Sequence, residues 1–267
     1  MSRIPINIEI AGRKTAFALV VDNTQADANT MHCLQNGGCC EPEVAHVMAR
    51  VLREGDTAVD IGANIGFFTL LMSRLVGKTG KVVAFEPFHA SVSKLRENIK
   101  INQMRNVDCR PVPLWDKQEP VTLYLSLDSG QNSLAKSVSS IGKQKLLSCT
   151  FDAECPITPT PRLVKMDVEG AEENIVFGGG KFLHPNVVPY IVSELNDAAL
   201  QRFNTSADSF RLTMSTRGYE TFLLRENGVL PALVPRKTKL VQGQNQNINV
   251  LFSTLDRVAE AWPEVQL

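Results

Sequence analysis

A Rossmann-like, doubly wound α/β fold is predicted, with a mainly parallel seven-stranded sheet, an antiparallel last strand, helices on both faces and a small N-terminal extension. Three observations predict it. From residue 41 to residue 253, short apolar runs alternate with segments of helical periodicity. One run, Val59-Asp60-Ile61, passes through Gly62-Ala63-Asn64-Ile65-Gly66 into Phe67-Phe68-Thr69, a strand, glycine turn and helix that let backbone approach a nucleoside closely. Twenty residues past Gly66, the run Val82-Val83-Ala84-Phe85 ends in Glu86-Pro87, placing a carboxylate at the tip of the neighbouring strand, where ribose hydroxyls would sit.

The elements follow in order. Residues 4–10 and 16–21 alternate enough for a hairpin or two edge strands, and the polar run 22–38 is expected to be a long loop. Val44, Val47, Met48, Val51 and Leu52 recur at helical spacing over 41–53, with Pro42 suited to a first turn. A strand at 57–61 leads to the turn and to a helix carrying Phe67, Leu70, Leu71 and Leu75, which stops near Gly77–Gly80. Strands are expected at 81–85, 107–112, 121–125, 146–151, 162–166 and 187–193, and a helix over 89–102. The serine-, glycine- and asparagine-rich stretch 126–145 reads as a loop over a site or a disordered stretch, and 156–161 as a stiff proline connector. A helix follows Gly170, another spans 207–216, and strands at 219–224 and 248–253, joined by an irregular 225–247, are expected to be antiparallel to each other. The expected organisation is an extension at 1–40, one α/β domain at 41–255 and a tail at 256–267.

Composition bounds the function. At 267 residues and 43% hydrophobic content the chain can bury a large core. Lysine plus arginine equals aspartate plus glutamate at 28 each, so no global field gathers nucleic acid or an anionic membrane, and neither is expected as a partner. No apolar run approaches a membrane span, and six cysteines without a secretory leader read as reduced thiols of a cytoplasmic protein. His32, Cys33, Cys39 and Cys40 cluster in sequence but match no zinc spacing, so a flexible entry loop is the plainer reading.

The glycine turn is not the dinucleotide pattern, because Asn64 and Phe67 stand where G-x-G-x-x-G requires glycines, which disfavours a nicotinamide oxidoreductase. Asp60 just before the turn would repel a phosphate and attract a cation or a hydroxyl. S-adenosylmethionine suits such a site, having a ribose, an α-ammonium, a sulfonium and no phosphate. Asp60, Glu86, Asp167, Glu169 and Glu194 all fall at the carboxyl ends of expected strands, where ligands bind in open α/β sheets.

Val59–Thr69, Phe85-Glu86-Pro87, the helix end Asn98–Asn102 and above all Lys165-Met166-Asp167-Val168-Glu169-Gly170-Ala171-Glu172 resemble the FkbM-type S-adenosylmethionine-dependent methyltransferases, over roughly residues 55 to 225. The resemblance implies an O-methyltransferase acting on a hydroxyl of a small molecule or sugar. It assigns Asp60, Gly62, Ala63, Asn64, Gly66 and Phe67 to the cofactor turn and Glu86, followed by Pro87, to the ribose. Pro113-Leu114-Trp115-Asp116 stands where the family has Ala-Leu-x-Asp, which puts Leu114 beside the adenine, with Pro113 and Trp115 departing from the pattern. Asn132-Ser133-Leu134 resembles a segment near the acceptor.

Methyl transfer to an alcohol needs alignment and a base for the departing proton. The candidates are Asp167 and Glu169; Asp167 equally suits the cofactor's ammonium, and Lys165 suits pairing with one of these acids. The plainer alternatives are strand-end or helix-start acids, held by turns or the helix dipole, for Asp167, Glu169 and Glu172. Asp167, Glu169 and Glu194 also offer hard oxygen ligands for Mg2+. His46, His89 and His184 are further candidate bases, with cap or surface roles the default for the first two. A non-catalytic S-adenosylmethionine-binding scaffold is the alternative function.

Overall fold

The computed structural model describes residues 2–22, 27–155, 159–225, 230–240 and 247–264. Parts of the 22–38 and 225–247 loops, of the proline connector 156–161 and of the tail lie outside the described residues.

The chain opens with an antiparallel hairpin, β1 (Ser2–Ile10) and β2 (Arg13–Val21). Where a loop is expected, α1 (Ala28–Gly37) forms, closed by Gly38 in the left-handed region with its N–H bonded to Leu34 O at 3.2 Å. Its apolar stripe is too thin to announce a helix, and burial of Leu34 in the core supplies the missing stability. Then come α2 (Pro42–Val51), β3 (Thr57–Ile61), α3 (Phe67–Val76), β4 (Lys81–Phe85), α4 (His89–Ile101) and β5 (Val107–Arg110).

The next stretch holds β6 (Leu114–Trp115), β7 (Pro120–Leu125), β8 (Gly142–Leu147), β9 (Cys149–Thr150) and α5 (Phe151–Glu154). The expected strands 121–125 and 146–151 therefore do not enter the main sheet: β7 pairs with β8, and β6 with β9. β8 begins inside the predicted loop. Its outward residues Lys143 and Lys145 are polar and its inner face is only half-buried, so the two-residue period carried little hydrophobic contrast.

The remainder supplies β10 (Pro161–Met166), α6 (Glu172–Gly178), β11 (Tyr190–Leu195), α7 (Asp197–Gln201), α8 (Ala207–Thr216), β12 (Glu220–Leu223), β13 (Ala232–Val234), β14 (Ile248–Ser253) and α9 (Leu255–Ala261). The main sheet runs β13-β12-β14-β11-β10-β3-β4-β5. β5, β4, β3, β10 and β11 are parallel, and β14 inserts antiparallel to both β11 and β12. The seven strands expected of the fold class are joined by an eighth, the three-residue edge strand β13, whose brevity hides it in sequence.

Alternation along the central strands sorts side chains into two layers. Ala58 and Leu163 join the layer of α2, α3 and the hairpin, where Ile6, Phe17 and Leu19 pack with Val44, Met48, Leu70 and Leu71. Val59, Ile61, Val164 and Met166 join the other, with Ile175, Phe210 and Phe252. The chain leaves β3 toward β4 on one side and returns to β10 on the other. This switch opens a crevice at the carboxyl ends of β3 and β10. No helix among the described residues is long and apolar enough to cross a membrane.

Candidate functional site

The turn after β3 is held from both neighbouring strands. Gly62 has φ +81, and a Cβ there would lie 1.9 Å from the carbonyl oxygen of Asp167, so only glycine lets the two loops pass. The N–H groups of Gly62 and Ala63 both donate to Phe85 O at 3.0 Å. Asn64 sits at φ +48, its N–H donates to Glu86 Oε2 at 2.8 Å, and its Oδ1 accepts from the hydroxyls of Ser91 and Ser129, each at 3.1 Å. Glu86 also accepts the Phe88 N–H on Oε1 at 2.8 Å. Burial pushes the Glu86 carboxyl up to about 7 against the pull of these two N–H groups.

Two clefts meet at this turn. The first is lined by Glu86 and Pro87 from the end of β4, by Leu114, and by Asn132, Ser133 and Leu134 from the loop before β8. That last segment, expected near the acceptor, thus faces the same space as Glu86. The second, about 330 Å³, is lined by Ala63, Gly66 and Phe67 from the turn, by Lys165, Asp167 and Glu169, by Glu194 at the end of β11, and by Thr30, Cys33, Cys40 and Glu41 from the N-terminal segment. Gly62, Asn64, Gly130 and Asp167 belong to both walls, and Asp167 is the titratable one among them.

Asp60 lines neither cleft. It lies fully buried under the turn, its Oδ2 accepting from Thr69 Oγ1 at 2.5 Å and its Oδ1 4.0 Å from Lys165 Nζ. Burial holds its carboxyl above the usual range, opposed by Lys165 and Thr69. Lys165 sits between two acids, 3.1 Å from Asp167 Oδ2, with its ammonium 4.9 Å from the centre of the Phe68 ring. Burial alone would lower it; the charges of Asp167, Asp60 and Glu41 outweigh that and raise it.

The Asp167–Gly170 loop is braced from within. Asp167 N–H donates to Ile61 O at 3.1 Å, and Glu172 Oε1 accepts the N–H groups of Val168 at 3.1 Å and Gly170 at 3.4 Å. Glu172 stands in the first turn of α6, as the helix-start reading has it, and braces this loop as well. Glu169 has φ +55, and its carbonyl accepts from Ser133 Oγ at 2.9 Å and Arg202 at 3.1 Å. Burial, with Asp167 and Glu172 nearby, pushes the Glu169 carboxyl up to about 8, against the pull of Arg202. Glu194 is held above the usual range by burial and by Asp167, Glu169 and Glu41.

Glu41 was not among the predicted site residues. It reads in sequence as a helix start before Pro42, and only the folded N-terminal segment brings it to the cleft, where Asn249 donates to its Oε2 at 3.1 Å. It shares with Asn64 and Glu169 a left-handed backbone without being glycine, and strained residues of this kind collect at functional sites.

No group of three or more His, Cys, Asp or Glu among the described residues is arranged to hold a metal ion, which removes support for the Mg2+ reading of Asp167, Glu169 and Glu194. Asp167 is taken up by Lys165, and Glu169 lies 3.8 Å from Arg202. His46, His89 and His184 line neither cleft.

These raised carboxyls have a thermodynamic consequence. Glu86 and Glu172, raised to about 7, and Glu169, raised to about 8, bind more protons folded than unfolded. Their contribution is complete below their ordinary range near 4.5 and is lost as pH rises through 7 to 8. Thermal unfolding of the unliganded protein is expected to show Tm falling from about pH 5 to about pH 8, each group contributing on the order of 1–3 kcal/mol. Glu172→Gln makes that fall shallower; an equally steep fall in the variant would contradict the assignment.

A switch-point crevice, a glycine turn and a strand-end carboxylate define the nucleoside-binding α/β class to which many group-transfer enzymes belong. Residues 60–221 match the Methyltransferase FkbM domain, and the chain belongs to that family. Methyltransferase 1 of Beauveria bassiana (strain ARSEF 2860) is 28% identical over 162 residues, covering 52% of this chain and 64% of that protein, so the match spans less than two thirds of the relative's length. Among solved structures, a SAM-dependent O-methyltransferase from Thermotoga maritima aligns at TM-score 0.44 and 12% identity, covering 92% of this chain and 76% of that one. An rRNA methylase from Streptococcus thermophilus aligns at TM-score 0.46 and 13% identity, covering 79% and 94%. Neither structural likeness bears on the acceptor.

Proposed function

We propose that the chain is an S-adenosylmethionine-dependent methyltransferase that methylates a hydroxyl of a small-molecule or sugar acceptor, in the domain spanning about residues 41–255. The observation that carries this reading is Asp167 on the common wall of the two clefts: a carboxylate at their junction is where a nucleophile and a nucleoside-borne methyl would meet. The donor set fits the group. Glu86 suits a ribose, Pro87 and Leu114 give the first cleft apolar surface for a base, and the acids of the second cleft suit a sulfonium and an ammonium while opposing a pyrophosphate.

When bound, S-adenosylmethionine supplies an electrophilic methyl. The chain's residues do the rest. Gly62, Ala63, Asn64, Gly66 and Phe67 frame the turn, with Asp60 and Lys165 beneath it. Asp167 accepts the acceptor's proton, and Lys165, 3.1 Å from its Oδ2, holds that carboxylate in place. Glu169 is the second basic group. The reading takes the protein as a cytoplasmic one and includes no nucleic acid or membrane partner.

Calorimetry with S-adenosylmethionine and S-adenosylhomocysteine on the wild type and Glu86→Ala tests the reading, followed by methyl transfer to a panel of hydroxylated metabolites and sugars. Binding that weakens in Glu86→Ala, with transfer to a hydroxyl, is expected. Binding without transfer to any acceptor would favour a scaffold, and absence of binding would end the proposal. With Glu169 raised to about 8, a reaction needing its ionised form gains rate as pH rises to about 8. Glu169→Gln should remove that ascending limb of kcat/KM.

A further inference from the structure

One face of α4 is given over to the N-terminal segment. Lys94, Asn98 and Asn102 recur every fourth residue, so they stand above one another on that face. Lys94 Nζ lies 2.6 Å from Asp22 and 2.7 Å from Asp27. Asn102 takes the Ala18 N–H on Oδ1 at 2.8 Å and donates Nδ2 to Ala18 O at 2.6 Å. Asn98 does the same two residues along β2, accepting the Val20 N–H at 2.7 Å and donating to Val20 O at 3.3 Å. The two side-chain amides thus occupy the free edge of β2 as a neighbouring strand would.

The two asparagines differ in where a third contact goes: Asn102 Nδ2 also donates to Asn98 O, within the helix end, at 2.8 Å, whereas Asn98 reaches the turn. Its Nδ2 also donates to Ile65 O, inside the glycine turn, at 2.8 Å, and the side chain is fully buried. The front of the turn is fixed by Phe85 O and Glu86, while its far end, Ile65–Gly66, rests on α4 through Asn98 and Leu95. A buried carbonyl that loses its donor pays the desolvation cost and moves to find another.

We propose that Asn98 is a positioning residue: it couples the seating of the N-terminal hairpin to the shape of the cofactor turn and so sets cofactor affinity. The affinity part rests on the reading of Gly62–Gly66 as the S-adenosylmethionine turn; the coupling itself does not. Asn102 is the control, since it holds the same strand with the same amide groups and does not touch the turn.

The experiment compares Asn98→Ala, Asn98→Asp and Asn102→Ala by thermal unfolding, by amide hydrogen exchange of residues 62–67 in the unliganded protein, and by S-adenosylhomocysteine calorimetry. Asn98→Asp keeps the acceptor for Val20 N–H and loses both donations, which serves if the alanine variant does not fold. Both asparagine sites should lower Tm. The Asn98 variants alone should speed exchange in the turn and weaken S-adenosylhomocysteine by roughly tenfold, the loss of about one well-made hydrogen bond. Equal effects at 98 and 102, or an unchanged turn in the Asn98 variants, would overturn the coupling. Accelerated exchange in a protein whose wild type does not bind S-adenosylhomocysteine would leave the coupling standing and sink the affinity claim with the methyltransferase reading.

Discussion

Asp167→Asn is expected to lower kcat by roughly 10²–10⁴-fold, the range a positioned base contributes. The substitution keeps the shape of the side chain and removes the charge that faces Lys165 at 3.1 Å. Lys165 is then left with Asp60, whose nearest oxygen is 4.0 Å away, so some stability is lost as well. Catalysis and cofactor binding separate in the measurement. If Asp167 takes the acceptor's proton, kcat falls while the dissociation constant for S-adenosylhomocysteine stays within a few-fold of the wild type. If it holds the cofactor's ammonium, affinity falls with it. A variant retaining more than a tenth of wild-type kcat would remove Asp167 from the role of base.

Gly62→Ala is expected to abolish S-adenosylhomocysteine binding and to destabilise the fold by at least about 2 kcal/mol, because the new methyl meets a backbone oxygen that no rotamer change can move. Gly55→Ala separates the two causes. Gly55 has φ +90, yet its nearest prospective contact is Thr79 Oγ1 at 3.8 Å, against 1.9 Å to Asp167 O at Gly62. Gly55→Ala therefore carries the conformational strain without the collision. Its Tm should fall less, and its cofactor affinity should match the wild type. Equal losses of Tm would show that φ alone sets the cost at Gly62.

The sheet, and most of the residues that line the candidate site, were readable because their signals are local. β3 and β4 are short, mostly apolar strands ending at a glycine turn and at Glu86, and the K-x-D-V-E-G-x-E stretch carries Asp167, Glu169 and the bracing Glu172 within a few residues. What sequence could not deliver is what depends on packing between distant segments. Asp60 looked like a ligand because it precedes the turn, but β3 buries it next to Lys165, its register neighbour on β10. Glu41 looked like a helix start because nothing local ties residue 41 to residues 167 and 194. The helix at 28–37 and the strand at 142–147 lack strong periodicity and form because the rest of the fold offers them partners.

The second cleft is walled in part by Thr30, Cys33, Cys40, Glu41 and Asn247, all of which lie outside the residues 60–221 that the family shares. The glycine turn lies inside the matched domain, whereas part of the opposite wall is built by segments that flank it. A change in those flanking segments can therefore reshape the second cleft while every residue of the glycine turn stays as it is. Residues 27–41 are the natural place to alter what that cleft admits without touching the turn.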